Sequence, residues 1–124
     1  MFQIQQRTNK GVTIAMAEIS EIDAATAKAW MDAGEAHLVD VREDPELMQA
    51  SIEGAAHVPM SALTPENIAE MIAVPEGKKL VLFCAIGQRS YQIGAFMADQ
   101  EIVGEVYSMA GGLQSWSQEG LPVK

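Results

Sequence analysis

The sequence predicts an α/β fold in which helices cover both faces of a mostly parallel sheet. Three observations point there. From residue 17 onward, short apolar runs alternate with helix-like segments, the pattern of βαβ units. One run, Leu80-Val81-Leu82-Phe83-Cys84 after Lys79, is apolar on consecutive positions, as a central strand covered on both sides has to be. The chain has 124 residues, 48% of them apolar, which suits one packed core and leaves no room for two of ordinary size.

Each element has a local reason. Ile19 and Ile22 lie in a short first strand. Asp23 can cap a helix over 24–33, where Ala25, Ala29 and Trp30 recur at helical spacing and Gly34 supplies the stop. His37-Leu38-Val39-Asp40-Val41 reads as the next strand. Asp44-Pro45 then reads as the cap and first residue of a short helix reaching about Ala50. Gly54 to Pro59 is a turn into a short strand that Pro59 ends. Thr64-Pro65 opens a helix over 66–72, and Pro75-Glu76-Gly77 is a turn into the strand that ends at Cys84. Residues 90–101 read as a helix, 105–109 as the last strand and 113–118 as a final short helix after Gly111-Gly112.

The organised pattern assigns 17–124 to the domain and leaves 1–16 as a polar N-terminal extension. Arg7 and Lys10 precede a weakly apolar run that ends in Ala15-Met16-Ala17, but it holds Gly11 and Thr13 and no leucine or phenylalanine. That is short of a secretory signal, so a cytoplasmic location is expected, with Met16 as an alternative start. Seventeen acidic residues against eight basic ones give a net charge of −9. Such a chain lacks the basic footprint of a nucleic-acid binder and is repelled by anionic membranes. One cysteine allows no internal disulfide and no cysteine-based metal cluster.

That cysteine has a telling position. Cys84 closes the most apolar strand, and Ala85-Ile86-Gly87-Gln88-Arg89-Ser90 follow before a helix. Ligands of open α/β sheets gather beyond the carboxyl ends of strands. A tight loop entering a helix turns N–H groups inward, and Gly87 lets it curl. With the charge of Arg89, this surrounding favours thiolate over thiol and binds an anionic substrate. The bland alternative is a small buried hydrophobe at a strand end.

The stretch 84–90 resembles the Cys-x-x-Gly-x-Arg-Ser loop of the single-domain rhodaneses, sulfurtransferases of the thiosulfate and persulfide type. Further landmarks stand in the same order. They are Leu38-Val39-Asp40-Val41-Arg42, Glu46 with Ile52-Glu53-Gly54-Ala55 and His57-Val58-Pro59, Gly111-Gly112-Leu113 with Trp116, and Leu121-Pro122-Val123. Ala50-Ser51 and Glu53 depart from the family pattern at positions that look structural.

The resemblance spans about 18–123 and implies a three-layer rhodanese-like fold with a central sheet of about five strands. It implies an enzyme that moves sulfane sulfur from thiosulfate or a persulfide donor, through a Cys84 persulfide, to cyanide or an external thiol. Ala85, Ile86, Gly87, Gln88, Arg89 and Ser90 would bind the donor, with Asp40 and Arg42 as possible supports, and no cofactor or metal is called for. A low-turnover persulfide carrier or regulatory binding module is the alternative. Phosphatases and arsenate reductases of the same fold use a loop one residue longer than the six from Cys84 to Arg89, which disfavours that chemistry.

Other residues carry plainer expectations. Asp40 is expected to satisfy backbone donors at its strand end. Arg42 and Glu46, four apart, are expected to pair as ions and hold strand to helix. His37 and His57 are expected to be packed or surface residues rather than ligands. Lys78 and Lys79 are expected in solvent at the far end of the strand from Cys84. Trp116 and the eight methionines are expected to fill the core, with Met60 and Met109 as candidates to line the pocket. Gly111-Gly112 is expected to allow a close backbone approach.

Overall fold

The computed structural model describes residues 7–9, 12–14 and 18–124. Near the N-terminus, β1 (Arg7–Asn9) and β2 (Val12–Ile14) pair antiparallel, with Thr8 opposite Thr13. The extension expected over 1–16 thus carries two short strands. Most of the signal-like run, and Met16, lie outside the described residues.

The main sheet is formed by β3 (Glu18–Ile22), β4 (Ala36–Asp40), β5 (Ala56–His57), β6 (Lys79–Phe83) and β7 (Glu105–Met109). Its order is β3-β7-β6-β4-β5, and every pairing is parallel. The expected five-strand sheet is therefore present and wholly parallel. The continuous apolar run sits on the middle strand, where Leu80 to Phe83 are all buried. β3 is an edge strand and alternates, burying Ile19 between exposed Glu18 and Ser20.

The period of two along β6 sorts its side chains into two layers. Leu80, Leu82 and Cys84 pack with residues of α3 (Ile68–Met71) and α4 (Gln88–Asp99). Val81 and Phe83 pack on the other face with Ala24 and Ala27 of α1 (Ala24–Asp32) and with Leu113 and Trp116 of α5 (Gly112–Gln118). Helices therefore cover both faces of the sheet. Trp116 is almost wholly buried, and its indole N–H donates to the Pro122 carbonyl at 2.8 Å. Burying a side chain such as Phe83 stabilises the fold by about 1.5–3 kcal/mol. Not every methionine joins the core, since Met48 and Met71 are exposed.

Asp23 caps α1 as expected, accepting the Thr26 N–H at 2.8 Å. Three other helices begin elsewhere than their composition suggests. α2 (Asp44–Leu47) is capped by Glu43 rather than Asp44, because the Glu46 carboxylate accepts the Glu43 N–H at 2.9 Å. It also stops short of Ala50, whose carbonyl turns to the Arg42 guanidinium at 2.7 Å. Before α3, Thr64 and Asn67 bond each other's N–H groups at 2.8 and 3.1 Å, so regular helix starts two residues later than expected. α4 starts two residues earlier, because Gly87 at φ +100° turns the chain directly into it.

Candidate active site

The site is built where β6 meets α4. Two N–H groups at the start of α5 hold the loop from the far side: Leu113 donates to the Cys84 carbonyl at 2.8 Å, and Gln114 to the Ala85 carbonyl at 3.0 Å. With those carbonyls turned towards α5, N–H groups of the loop turn the other way. Gly87 N–H reaches Cys84 Sγ at 3.2 Å and Ser90 N–H at 3.4 Å. Gly112 makes this docking possible, since a Cβ there would stand 2.3 Å from the Cys84 carbonyl oxygen. The close approach expected of Gly111-Gly112 is thus found, against the loop itself.

The side chain of Ser90 adds a third donor. Its Oγ lies 3.5 Å from Cys84 Sγ and 2.8 Å from the Ser108 Oγ of β7. Both hydroxyls are fully buried. Burial by itself pushes the Cys84 thiol up, but the Ser90 hydroxyl and the N–H groups of Ser90, Gly87 and Ile86 outweigh it and leave the thiol below its ordinary range. The cysteine is buried as the bland reading had it, yet it is surrounded by donors that stabilise a thiolate.

Ser108 escaped the sequence reading. The available signal was a small hydroxyl between Tyr107 and Met109, on the same face as buried Val106 and beside Leu82 in the sheet. Removing the Ser90 hydroxyl should shift the thiolate titration, followed by its ultraviolet absorbance, to higher pH. Ser90→Ala should do so clearly and Ser108→Ala by a smaller step. An unmoved midpoint in Ser90→Ala would show that main-chain donors alone set it.

The charged residues pair differently from expectation. Arg89 binds Glu46 with both ends of its guanidinium, at 2.8 and 2.9 Å. That pairing, against a smaller opposing effect of burial, holds the Glu46 carboxyl down at about 2. Glu46 raises Arg89 in return, and the nearby Cys84 raises it further. The expected ion pair between Arg42 and Glu46 is not formed. Arg42 reaches only the Glu46 main-chain carbonyl, at 3.4 Å, because Arg42 precedes α2 and the helical spacing rule does not apply to it.

Arg42 pairs instead with Asp40, which accepts its Nη2 at 2.8 Å, its Nε at 3.0 Å and its main-chain N–H at 2.9 Å. Asp40 therefore satisfies a backbone donor, as expected, and also neutralises a buried arginine. The pair anchors the segment that carries Glu46.

The remaining candidates divide simply. Ala85 is half-buried, while Ile86 and Gln88 are exposed on the crown of the loop. His57 Nε2 lies 2.7 Å from the Arg42 carbonyl, so it packs against the same segment. His37 is half-buried, and burial and then Lys78 lower it. Lys79 is half-buried and lies over the Trp30 ring at 5.4 Å, so it is not simply in solvent. Met60 lines an apolar hollow of about 220 Å³ with Leu63, Ile68, Ile93 and Phe96, whereas Met109 is buried in the opposite layer. Among the described residues, no cluster of three or more His, Cys, Asp or Glu side chains is placed to hold a metal ion. Nor is any described helix long and apolar enough to cross a membrane.

Comparison with known proteins points the same way. The model of the rhodanese-like domain family matches residues 23–119. A sulfurtransferase of Allochromatium vinosum is 33% identical over 106 residues, which cover 85% of this chain and 94% of that protein. The thiosulfate sulfurtransferase GlpE of Vibrio cholerae is 31% identical over 104 residues, covering 83% of this chain and 92% of that protein. The crystal structure of a rhodanese-related protein from Thermoplasma volcanium superposes with a TM-score of 0.70 at 32% identity, covering 85% of this chain and 97% of that one.

Proposed function

The chain belongs to the rhodanese-like domain family, and we propose that it is a sulfurtransferase in which Cys84 carries the sulfur. The observation that carries this reading is the convergence of the Gly87 and Ser90 N–H groups and the Ser90 hydroxyl on Cys84 Sγ. Those donors stabilise a thiolate before reaction and a persulfide anion after it.

With thiosulfate as donor, the Cys84 thiolate attacks the sulfane sulfur. A sulfur–sulfur bond forms to Cys84, the bond to the sulfonyl sulfur breaks, and sulfite leaves with its electron pair. With a persulfide donor the leaving group is the donor thiolate. Cyanide or an external thiolate then attacks the outer sulfur, and the Cys84 thiolate returns. Because the chain has one cysteine, it cannot resolve its persulfide as an internal disulfide, so an outside acceptor completes the cycle. The domain spans 17–124 in this reading, and it works in the cytoplasm, where a free thiolate stays reduced.

The test is turnover of thiosulfate to thiocyanate in the presence of cyanide, dependent on Cys84. The net charge of −9 adds a second expectation. Thiosulfate is repelled at long range and captured only by the local loop field, so rising salt should speed its capture. From very low to physiological ionic strength, the loading rate constant should rise by about twofold to fivefold. A steep fall would mean that exposed cations gather the donor.

The complete burial of Cys84 slows exchange with any donor and so favours a second reading, a persulfide carrier with little turnover. Loading from a protein persulfide combined with poor thiosulfate-to-cyanide turnover would single it out.

A further inference from the structure

The charge around the loop bears on which donor it takes. Arg89 is the one cation between Cys84 and Ser90. Its guanidinium is occupied on two nitrogens by the Glu46 carboxylate, and both side chains are about one-third exposed, at 32% and 34%. Glu43 adds a second carboxylate to Arg89's surroundings, held in place by the Ser61 N–H at 3.1 Å and the Ser61 hydroxyl at 2.6 Å. The other arginine of this region, Arg42, is neutralised by Asp40. Two carboxylates against one guanidinium leave the rim of the loop net negative. The crown offers Gln88, which is neutral, and the apolar, half-exposed side chain of Ile86.

We propose that Glu46, by engaging Arg89, sets the donor class of the site. The favoured donor carries a single negative charge and an organic group on the far side of its sulfane sulfur, as an organic persulfide or thiosulfonate does, and is taken in preference to the thiosulfate dianion. Such a donor meets one unit less repulsion at the rim and gains contact with Ile86, while the loop N–H groups still hold the transferred sulfur. Glu46 acts through Arg89, as a positioning residue, and touches no reacting atom. The inference rests on the sulfurtransferase reading above.

Thiosulfate and methanethiosulfonate make a matched pair of probes. They carry the same sulfane sulfur on a sulfonyl centre and differ by one charged oxygen replaced by methyl. The Cys84 thiolate attacks that sulfur in each, and the leaving groups are sulfite and methanesulfinate. Single-turnover loading of the full chain, followed by intact mass, yields a thiosulfate-to-methanethiosulfonate rate ratio that cancels any general loss of activity. In Glu46→Gln, which keeps an oxygen to accept the Glu43 N–H, this ratio should rise about tenfold, the effect of removing one charge beside a partly exposed site.

Should Glu46→Gln fail to fold, Glu46→Asp serves in its place, because it draws a carboxylate one methylene shorter back from the two Arg89 nitrogens. Its ratio should rise by about twofold to threefold. A ratio that stays level or falls in the folded variant, with both donors still loading Cys84, overturns the inference and leaves the sulfurtransferase reading standing. A wild-type chain that loads from neither donor overturns both.

Discussion

Serine in place of Cys84 should abolish sulfur transfer to cyanide, with a loss of at least about a thousandfold in turnover. The fold should survive, because the serine hydroxyl fits the same cradle of Gly87 and Ser90 donors and Cys84 makes no covalent cross-link. Circular dichroism and thermal melting would confirm a folded variant, and a thiocyanate assay would read the activity. Residual turnover within tenfold of the wild type would mean that another group carries the sulfur. A sulfur atom is needed to form the persulfide, and the chain offers no second cysteine to supply it.

The largest effect on the fold of the site should come from Gly112→Ala. The residue sits at φ +58°, and an added Cβ would meet the Cys84 carbonyl oxygen at 2.3 Å and the Ala85 carbonyl carbon and oxygen at 2.7 Å. All three are backbone atoms, so no side chain can swing aside. Either α5 backs away from the loop or the loop is pushed from the sulfur, and both outcomes break the bonds from Leu113 and Gln114 that hold the loop carbonyls. A destabilisation of about 3 kcal/mol is expected, read as a fall in Tm of about 10 °C together with a shift of the Cys84 titration towards an ordinary thiol. Gly104→Ala is the control. Nothing lies within 4 Å of a Cβ there, so its melting should change by no more than about 2 °C. Equal effects from the two substitutions would contradict the role given to Gly112.

Much of this architecture was legible in the sequence, for physical reasons that stop at a definite range. The middle strand was readable because only a strand covered on both faces is apolar at every position, and Leu80 to Phe83 are buried accordingly. The loop was readable because cysteine, glycine, arginine and the following helix are contiguous. Residues brought together from afar were not readable. Glu46 and Arg89 lie 43 positions apart and meet only once α2 is docked beside the loop. Ser90 and Ser108 meet because β7 pairs with β6, an adjacency that no local pattern encodes.

The same limit explains the misplaced ion pair. A spacing of four is a contact only when both residues share a helix, and Arg42 lies before α2, so the buried Asp40 two residues away claims it instead. Helix starts shifted for a related reason. The Glu43–Glu46 and Thr64–Asn67 contacts take up N–H groups that composition alone assigns to other caps.

The central claim is that Cys84 accepts one sulfane sulfur and gives it up to an outside acceptor. Intact mass spectrometry of the reduced chain tests it directly, after brief exposure to thiosulfate or an organic persulfide. The account predicts a gain of one sulfur atom, located to the peptide that contains Cys84, absent from Cys84→Ser and removed by cyanide. An unchanged mass with every donor, or the same gain in Cys84→Ser, would contradict it.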